Sequence, residues 1–201
     1  MQAESSLRTL GYYEANAAAF RENTIGHDVS QNVRALLSAI EGPAPLRILD
    51  FGCGPGRDLR VFKDLGHDPI GLDGCERFVQ MARVYSGVTV LHQNFLSLSL
   101  PVATFDGVFA NASLFHVPSD SIASVLGELR AALKVRGILF CSNPRGNAEG
   151  WSGERYGCHF ELDRWLSYFE AAGFELDHHY YRPEGLPHSE QPWLAMVLRR
   201  T

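Results

Sequence analysis

The chain has 201 residues, of which 45% are hydrophobic, and its formal net charge at pH 7 is −5. This length fits one well-filled domain and is too short for two large ones, so residues 1–201 are expected to form a single domain. The acidic balance excludes a broad phosphate-binding face, and nucleic acid is not an expected partner. A start without the segments of a signal peptide, and the lack of a membrane-length apolar run, predict a cytoplasmic protein with no membrane partner.

The cysteines and histidines give no sign of a metal site. Four cysteines are scattered without Cys-x-x-Cys spacing, and none of the eight histidines belongs to a His-Glu-x-x-His pattern. Reduced thiols and no bound metal are therefore expected. The adjacent His178 and His179 are expected as a strand pair with one ring facing outward.

The first forty residues carry two helical patterns, joined by the polar segment 23–28. One interpretation is a helical pair that covers an edge of a sheet. The other is a movable lid over a ligand, which the adjacent Tyr12 and Tyr13 favour. Residues 1–40 are thus treated as a helical lid. A Gly- and Pro-rich break at 41–45 then leads into a core spanning 46–201.

The central sequence feature is a short apolar run that ends at Asp50 and breaks into glycines at alternate positions, Gly52, Gly54 and Gly56. Helical spacing of apolar residues follows. A strand, a glycine loop and a helix in this order open a doubly wound α/β sheet, in which ligands bind at the carboxyl ends of the strands. Glycine lets a ligand approach bare backbone, and the helix amides favour an anionic group.

A second strand predicted at 68–73 ends in Asp73, about twenty residues after the first. An acid there can accept hydrogen bonds from both ribose hydroxyls of a nucleoside cofactor. The spacing Gly-x-Gly-x-Gly differs from that of a dinucleotide site. Asp50 would also repel a pyrophosphate but not a cationic aminoacyl-sulfonium ligand. The pattern therefore favours a cationic nucleoside cofactor.

The rest of the chain alternates strands and helices. Helices are expected at 76–85, 119–134 and 163–172. Further strands are expected at 88–91, 105–112, 137–143, 174–181 and 193–198. The stretch 143–157 is expected to be a glycine-rich loop at the carboxyl end of the sheet, where specificity residues usually lie.

Together these features resemble class I S-adenosylmethionine-dependent methyltransferases. The segment 50–56 resembles their first motif, and Asp73 matches their ribose-binding acid. The resemblance implies a Rossmann-like fold, with a seven-stranded, mostly parallel sheet and a reversed last strand. It also implies S-adenosyl-L-methionine as the cofactor. The cofactor contacts that it implies are Tyr13, Asp50, Gly52, Gly54, Gly56, Asp73, Asn94, Phe95 and Asn111.

Two of these contacts have particular roles in the family. Asn94 stands where the family usually has an acid that accepts from the adenine amino group, and its carboxamide oxygen can accept the same bond. Asn111 ends the strand whose carboxyl end lies beside the transferred methyl. It is therefore predicted to be catalytic together with His116, which could take a proton from the acceptor.

The methyl acceptor is expected to be a small molecule, because no Asn-Pro-Pro-Tyr or Asp-Pro-Pro-Tyr sequence follows the fourth strand. Arginines, acids and aromatic residues crowd the later loops, which suits a zwitterion with a flat ring. Arg145 is the preferred carboxylate clamp because it follows the fifth strand closely. The predicted substrate contacts are Phe115, Asn143, Arg145, Trp151, Arg155, Tyr156, Tyr180, Tyr181 and Arg182.

A closer resemblance is to the methyltransferase domains of ovothiol-biosynthesis enzymes. It rests on segments at 12–17, 27–32, 50–58, 105–118, 142–146 and 180–183. It implies methylation of the π nitrogen of 5-thiohistidine to give ovothiol A, with a sulfoxide synthase as pathway partner. Two alternatives stay open: methyl transfer to another small acceptor, and a non-catalytic nucleoside-binding subunit with the same fold.

Overall fold

A computed structural model describes residues 2–201, so only Met1 of the predicted lid lies outside the described residues. Six helices are present in this range: α1 Gln2–Thr24, α2 Ser30–Ala39, α3 Arg57–Asp64, α4 Glu76–Ser86, α5 Ser119–Ala132 and α6 Leu162–Ala171. The strands are β1 Arg47–Phe51, β2 Asp68–Asp73, β3 Val90–His92, β4 Phe105–Asn111, β5 Leu133–Pro144, β6 Ala148–Ser152, β7 Arg155–His159, β8 Phe174–Arg182 and β9 Trp193–Arg200.

Seven strands form one sheet in the order β3-β2-β1-β4-β5-β9-β8. The strands β1 to β5 pair in parallel, and β9 lies antiparallel between β5 and β8. The Rossmann-like fold with a reversed last strand is therefore confirmed. Because β1 pairs with β2 on one side and β4 on the other, the strand order reverses at β1, where such sheets bind their ligands.

Both faces of the sheet are covered, which explains why its central strands are almost continuously apolar. On one face, Phe109 and Phe140 pack with residues of α2 and α3. On the other face, α5 and α6 contribute a larger cluster that includes the fully buried Trp165. These two layers hold the carboxyl ends of β1, β2 and β4 at one edge, where α1 lies over them.

The stretch expected as a loop at 143–157 is more ordered than predicted. It contains the antiparallel hairpin β6–β7, in which Trp151 lies opposite Tyr156 with ring centroids 5.4 Å apart. Cross-strand aromatic pairs stabilise such hairpins. Gly150 and Gly157 interrupt the apolar alternation that would have indicated strands in the sequence.

The longest helix, α1, spans 23 residues and carries charged side chains along its length. Across residues 2–201, no helix is both long enough and apolar enough to cross a membrane.

Candidate active site

A cavity of about 640 Å³ lies beneath α1, at the carboxyl ends of the central strands. Its walls combine residues from α1, the glycine loop after β1, the ends of β2 and β4, the β6–β7 hairpin and the end of β8. Eleven residues predicted from the sequence line it: Tyr13, Gly52, Gly54, Asp73, Asn94, Phe95, Asn111, Phe115, His116, Arg155 and Arg182.

The three motif glycines serve different purposes. Gly52 has φ +78°, and a Cβ there would lie 2.3 Å from the Cβ of Ser113. A Cβ on Gly56 would lie 2.8 Å from the Ala82 backbone, so this glycine lets α3 begin against α4. A Cβ on Gly54 would meet only the Phe20 ring, at 3.9 Å, and the Gly54 amide donates to Asp73 Oδ2 over 2.9 Å.

Three buried carboxylates gather at this end of the cavity: Asp50, Asp58 and Asp73. Burial raises the pKa of Asp73 to about 6, although amides of Cys75, Gly54 and Gly74 oppose the shift. Burial, followed by repulsion from Asp58, also raises the pKa of Asp50. The cation beside them is Arg57, which donates to both Asp58 oxygens over 2.6 and 2.9 Å. Both shifts arise mainly from burial, which disfavours the charged form of an acid.

Asn94 and Phe95 lie side by side on the cavity wall after β3. The Phe95 ring stacks on Phe51 with centroids 4.1 Å apart. Asn94 Oδ1 accepts from the amide of Leu96 over 2.9 Å and from the hydroxyl of Ser6 over 3.2 Å. The predicted adenine contact therefore faces α1.

Helix α1 is attached to the cavity rim by polar contacts. Besides the Ser6 contact, Thr9 Oγ1 accepts from the Tyr156 amide over 2.9 Å. The Tyr13 hydroxyl meets His116 Nε2 at 2.9 Å. Glu14 accepts from the amides of Glu76 and Arg77 at the start of α4. The contacts run from one end of the cavity to the other, so α1 closes it over its length.

The protonation of His116 follows from its two partners. Its Nδ1 lies 2.7 Å from the Tyr156 carbonyl oxygen, which can only accept, so Nδ1 carries the hydrogen. Burial lowers the pKa of His116 to about 4, so the ring is neutral at pH 7. Nε2 therefore accepts from the Tyr13 hydroxyl. A pKa this low makes His116 a weak base, contrary to the role suggested by the sequence.

Arg145, the expected carboxylate clamp, lies outside the cavity. Its guanidinium pairs with Glu161 at 3.0 Å and donates to the carbonyl oxygens of His188 and Gln191 at 2.8 and 2.7 Å. It also lies over the Tyr181 ring. These partners use the donors that a substrate carboxylate would need. Arg145 therefore connects the end of β5 to Glu161, just before α6, and to the loop before β9.

The other predicted residues outside the cavity also have structural partners or are buried. The Tyr156 hydroxyl donates to Glu149, which accepts in turn from the Ser119 amide at the start of α5. Trp151 is 44% exposed and lies under the Arg8 guanidinium. The remaining ones are Asp50, Gly56, Asn143, Tyr180 and Tyr181. Asn143 is fully buried, and neither the oxygen nor the nitrogen of its side-chain amide has a hydrogen-bond partner among residues 2–201.

Several cavity residues were missed in the sequence. Trp193, at the start of β9, lines the cavity opposite Arg182 in the strand register. Asp58 and Arg57 also line it. Behind the wall, the fully buried Asn32 of α2 reaches Asn111. The burial of Asn32 could have been predicted from the sequence, because Asn32 lies one helical turn before Leu36 on the apolar side of α2.

The comparisons with known proteins agree with this fold. A model of the methyltransferase-domain family matches residues 20–179. A ubiquinone biosynthesis O-methyltransferase of Cereibacter sphaeroides is 32% identical over 135 residues, which cover 63% of this chain and 53% of that protein. A sterol 24-C-methyltransferase of Gibberella zeae is 29% identical over 156 residues, covering 67% and 40% respectively. The chain thus spans about half the length of the curated relatives it matches.

Solved structures extend the likeness to the whole fold. The 1,6-didemethyltoxoflavin-N1-methyltransferase of Burkholderia thailandensis, with bound 1,6-didemethyltoxoflavin and S-adenosylhomocysteine, has a TM-score of 0.79 at 21% identity. The alignment covers 100% of this chain and 91% of that one. A methyltransferase of Mesorhizobium loti has a TM-score of 0.70 over 87% of this chain.

The residues present suit a cationic nucleoside cofactor. Asp50 Oδ2 is buried and has no hydrogen-bond partner among residues 2–201, so a positively charged ligand nearby would lower the cost of burying this oxygen. Asp73 lies on the cavity wall with its acceptor oxygens at the end of β2. The family model matches residues 20–179, so the chain belongs to the methyltransferase-domain family.

Proposed function

We propose that this chain methylates the π nitrogen of 5-thiohistidine, giving ovothiol A. The observation that carries the proposal is the composition of one end of the cavity, here called the acceptor end and defined by Phe115, His116, Arg155, Arg182 and Trp193. It combines two cations, two aromatic walls and a neutral histidine ring. That combination suits a flat ring bearing two negative groups.

The acceptor end is continuous. The rings of Phe115 and His116 are 4.0 Å apart, and those of Phe115 and Trp193 are 6.5 Å apart. Arg182 lies opposite Trp193 in the β8–β9 pairing and donates to the Asp28 carbonyl oxygen over 3.3 Å. Arg155 lies over the Tyr12 ring, with 5.4 Å to its centroid. The two arginines thus reach the cavity from different elements, β7 and β8.

Two arginines match the two anionic groups of 5-thiohistidine, its carboxylate and its ring thiolate. A guanidinium can bind a carboxylate through two parallel hydrogen bonds. The thiolate is intrinsically the stronger nucleophile, so a second guanidinium that holds it away from the methyl group would favour reaction at nitrogen. Arg155 and Arg182 replace Arg145 as the proposed clamps.

The weak basicity of His116 agrees with this acceptor. S-adenosylmethionine, when bound, supplies a methyl carbon on a sulfonium that leaves as a neutral thioether. If the acceptor enters as a thiolate with a neutral ring, attack by the π nitrogen gives an imidazolium paired with the thiolate. No proton has to be removed in that step, so His116 can stay hydrogen-bonded to the Tyr13 hydroxyl and need not act as a base. Alignment within about 3–3.5 Å then supplies most of the catalysis.

Asn111 would also contribute to methyl transfer, because it ends β4 on the cavity wall. Its Nδ2 donates to Asp58 over 3.3 Å and keeps a second hydrogen for a ligand. We place the transferred methyl beside this amide. A sulfoxide synthase in the same cytoplasmic pathway would supply the 5-thiohistidine precursor.

A phenolic acceptor is the second candidate, favoured by the identity with ubiquinone biosynthesis O-methyltransferases. A phenol must lose its proton before or during methyl transfer, and a histidine with a pKa of about 4 is poorly suited to take it. The acceptor end therefore supports this candidate less well than it supports the imidazole.

The test is a methyl-transfer assay with the purified chain and four acceptors: 5-thiohistidine, histidine, a catechol and a simple thiol. We expect turnover with 5-thiohistidine, much poorer turnover with histidine, and a product methylated on the π nitrogen by NMR. Equal turnover of 5-thiohistidine and histidine, or methylation on sulfur, would refute the proposal. Calorimetric binding of S-adenosylhomocysteine without turnover of any acceptor would instead favour the non-catalytic alternative.

A further inference from the structure

A continuous chain of hydrogen bonds crosses the wall of the cavity from β8 to α3. The Tyr180 hydroxyl donates to Asn32 Oδ1 over 2.8 Å, and Asn32 Nδ2 donates to Asn111 Oδ1 over 2.9 Å. Asn111 Nδ2 then donates to Asp58 Oδ2 over 3.3 Å. The four side chains come from β8, α2, β4 and α3. Only Asn111 and Asp58 line the cavity.

The direction of this chain is set by charge. Arg57 donates to both oxygens of Asp58, so both of these oxygens are hydrogen-bond acceptors. Asn111 must therefore turn its NH₂ group toward Asp58 and its carbonyl oxygen toward Asn32. Asn32 must then turn its own NH₂ toward Asn111 and its oxygen toward β8, where a donor is required. Tyr180 supplies that donor, and burial raises its pKa to about 12, so the hydroxyl keeps its proton.

We propose that Asn32 and Tyr180 are positioning residues for methyl transfer, acting through Asn111. They hold the Asn111 carboxamide in one of its two orientations, so that the cavity meets an N–H donor beside Asp58 and not a carbonyl oxygen. Neither residue lines the cavity, so neither acts by touching a ligand. The inference rests on the proposed place of Asn111 beside the transferred methyl.

The first test reverses the direction of the chain. Asn32→Asp places a second acceptor opposite Asn111 Oδ1, so one hydrogen bond is lost whichever way Asn111 turns, and the melting temperature should fall. Adding Asp58→Asn supplies a donor at the far end, so the hydrogen bonds from Tyr180 to residue 58 are complete again with Asn111 turned over, while Arg57 keeps only one of its two acceptors. We expect the double variant to melt above Asn32→Asp alone, although Asp58→Asn by itself removes the charged partner of Arg57.

A matched control separates direction from simple charge repulsion. Asp58→Leu also removes the carboxylate but offers no donor, so Asn32→Asp with Asp58→Leu should show no such recovery. Equal recovery with leucine would mean that two carboxylates merely repel each other. If Asn32→Asp with Asp58→Asn is less stable than Asn32→Asp alone, the hydrogen bonds from Tyr180 to Asp58 have no fixed direction. Either outcome would overturn the inference.

The second test concerns turnover. Tyr180→Phe removes one hydroxyl and leaves the ring, so we expect kcat to fall about tenfold while acceptor KM and cofactor affinity stay within about twofold. Tyr168→Phe, on α6 away from the cavity, is the control and should leave kcat unchanged. The stability-rescued double variant should keep a low kcat, because its Asn111 amide points the wrong way.

Asn111→Ala distinguishes the two ways in which this could fail. If Asn111→Ala leaves kcat unchanged, the proposed role of Asn111 is wrong. If Asn111→Ala lowers kcat but Tyr180→Phe does not, the place of Asn111 stands and the positioning role of Asn32 and Tyr180 is refuted.

Discussion

The Tyr13 hydroxyl donates to Nε2 of His116 over 2.9 Å, although the two residues are 103 positions apart in the chain. The bond joins the helix that covers the cavity to the acceptor end beneath it. It exists only while His116 is neutral, because a protonated Nε2 can no longer accept. Closure of the cavity is thus connected to the protonation of one histidine.

That connection predicts an acid sensitivity. Burial lowers the pKa of His116 to about 4, so between its ordinary value near 6.5 and pH 4 the unfolded chain binds a proton here and the folded chain does not. The free energy of unfolding that this group contributes is complete above about pH 6.5 and is lost as the pH falls. Urea unfolding at pH 7 and pH 5 should show a larger loss for the wild type than for His116→Gln. Equal losses would contradict the assignment.

Cofactor binding should depend on pH in the same range, through Asp73. Its pKa is raised by burial to about 6, and ribose hydroxyls bind the ionised form best. Affinity for S-adenosylhomocysteine should therefore fall as the pH drops below about 6, by up to about tenfold per pH unit. Calorimetry in buffers of different ionisation enthalpy should detect the proton released on binding.

Asp73→Ala is the companion variant. Losing both ribose contacts should weaken binding at pH 7.5 by at least about tenfold, since a hydrogen bond to a charged group is worth roughly 1.5–3 kcal/mol. It should also flatten the part of the pH dependence due to Asp73. An unchanged dissociation constant would refute the ribose assignment.

Alanine variants of Arg145, Arg155 and Arg182 should differ in which property of the protein they change. Arg155→Ala and Arg182→Ala should each raise the acceptor KM by about tenfold while leaving cofactor affinity unchanged, because they remove a charged partner only from the acceptor. Arg145→Ala should instead lower the melting temperature, since it strands Glu161 and two carbonyl oxygens, and should leave KM unchanged. A raised KM in Arg145→Ala alone would reverse our assignment of the clamps.

Residues 10–28 should behave as a lid. Tyr13, Phe20 and Thr24 of this segment line the cavity beneath α1, so ligands bound there should restrict its motion. Hydrogen exchange of this segment should slow when cofactor and acceptor are both bound, while α6 serves as an unaffected reference. Identical protection with and without ligands would make the segment a fixed cover.

The glycine loop gives a stability prediction. Gly52→Ala places a methyl 2.3 Å from the Ser113 Cβ at a backbone φ of +78°, so it should destabilise the fold by about 1–3 kcal/mol from the backbone alone, with the clash in addition. Ser113→Gly should recover the part due to the clash. Gly127→Ala, a helical position with open space around it, should not destabilise. If Gly52→Ala with Ser113→Gly is no more stable than Gly52→Ala alone, the loss of stability does not come from this clash.

The sequence by itself determined the sheet and the part of the cavity expected to bind the cofactor. The apolar runs, the glycines at 52, 54 and 56, and the acids at the ends of β1 and β2 are local features, each produced by residues close together in the chain. They predicted the confirmed fold, with its seven-stranded sheet and reversed last strand. The glycine spacing and Asp50 also indicated a cationic cofactor in place of a dinucleotide.

Only the tertiary structure decided which polar side chains face the cavity. The sequence favoured Arg145 over Arg182 as the carboxylate clamp, but Arg145 meets Glu161 and the carbonyl oxygens before β9, whereas Arg182 lines the cavity. Asn32 likewise gains its meaning from Asn111, 79 positions away. A hydrogen bond or ion pair between distant residues depends on how the elements pack, and a long polar side chain takes whichever partner that packing brings within about 3 Å.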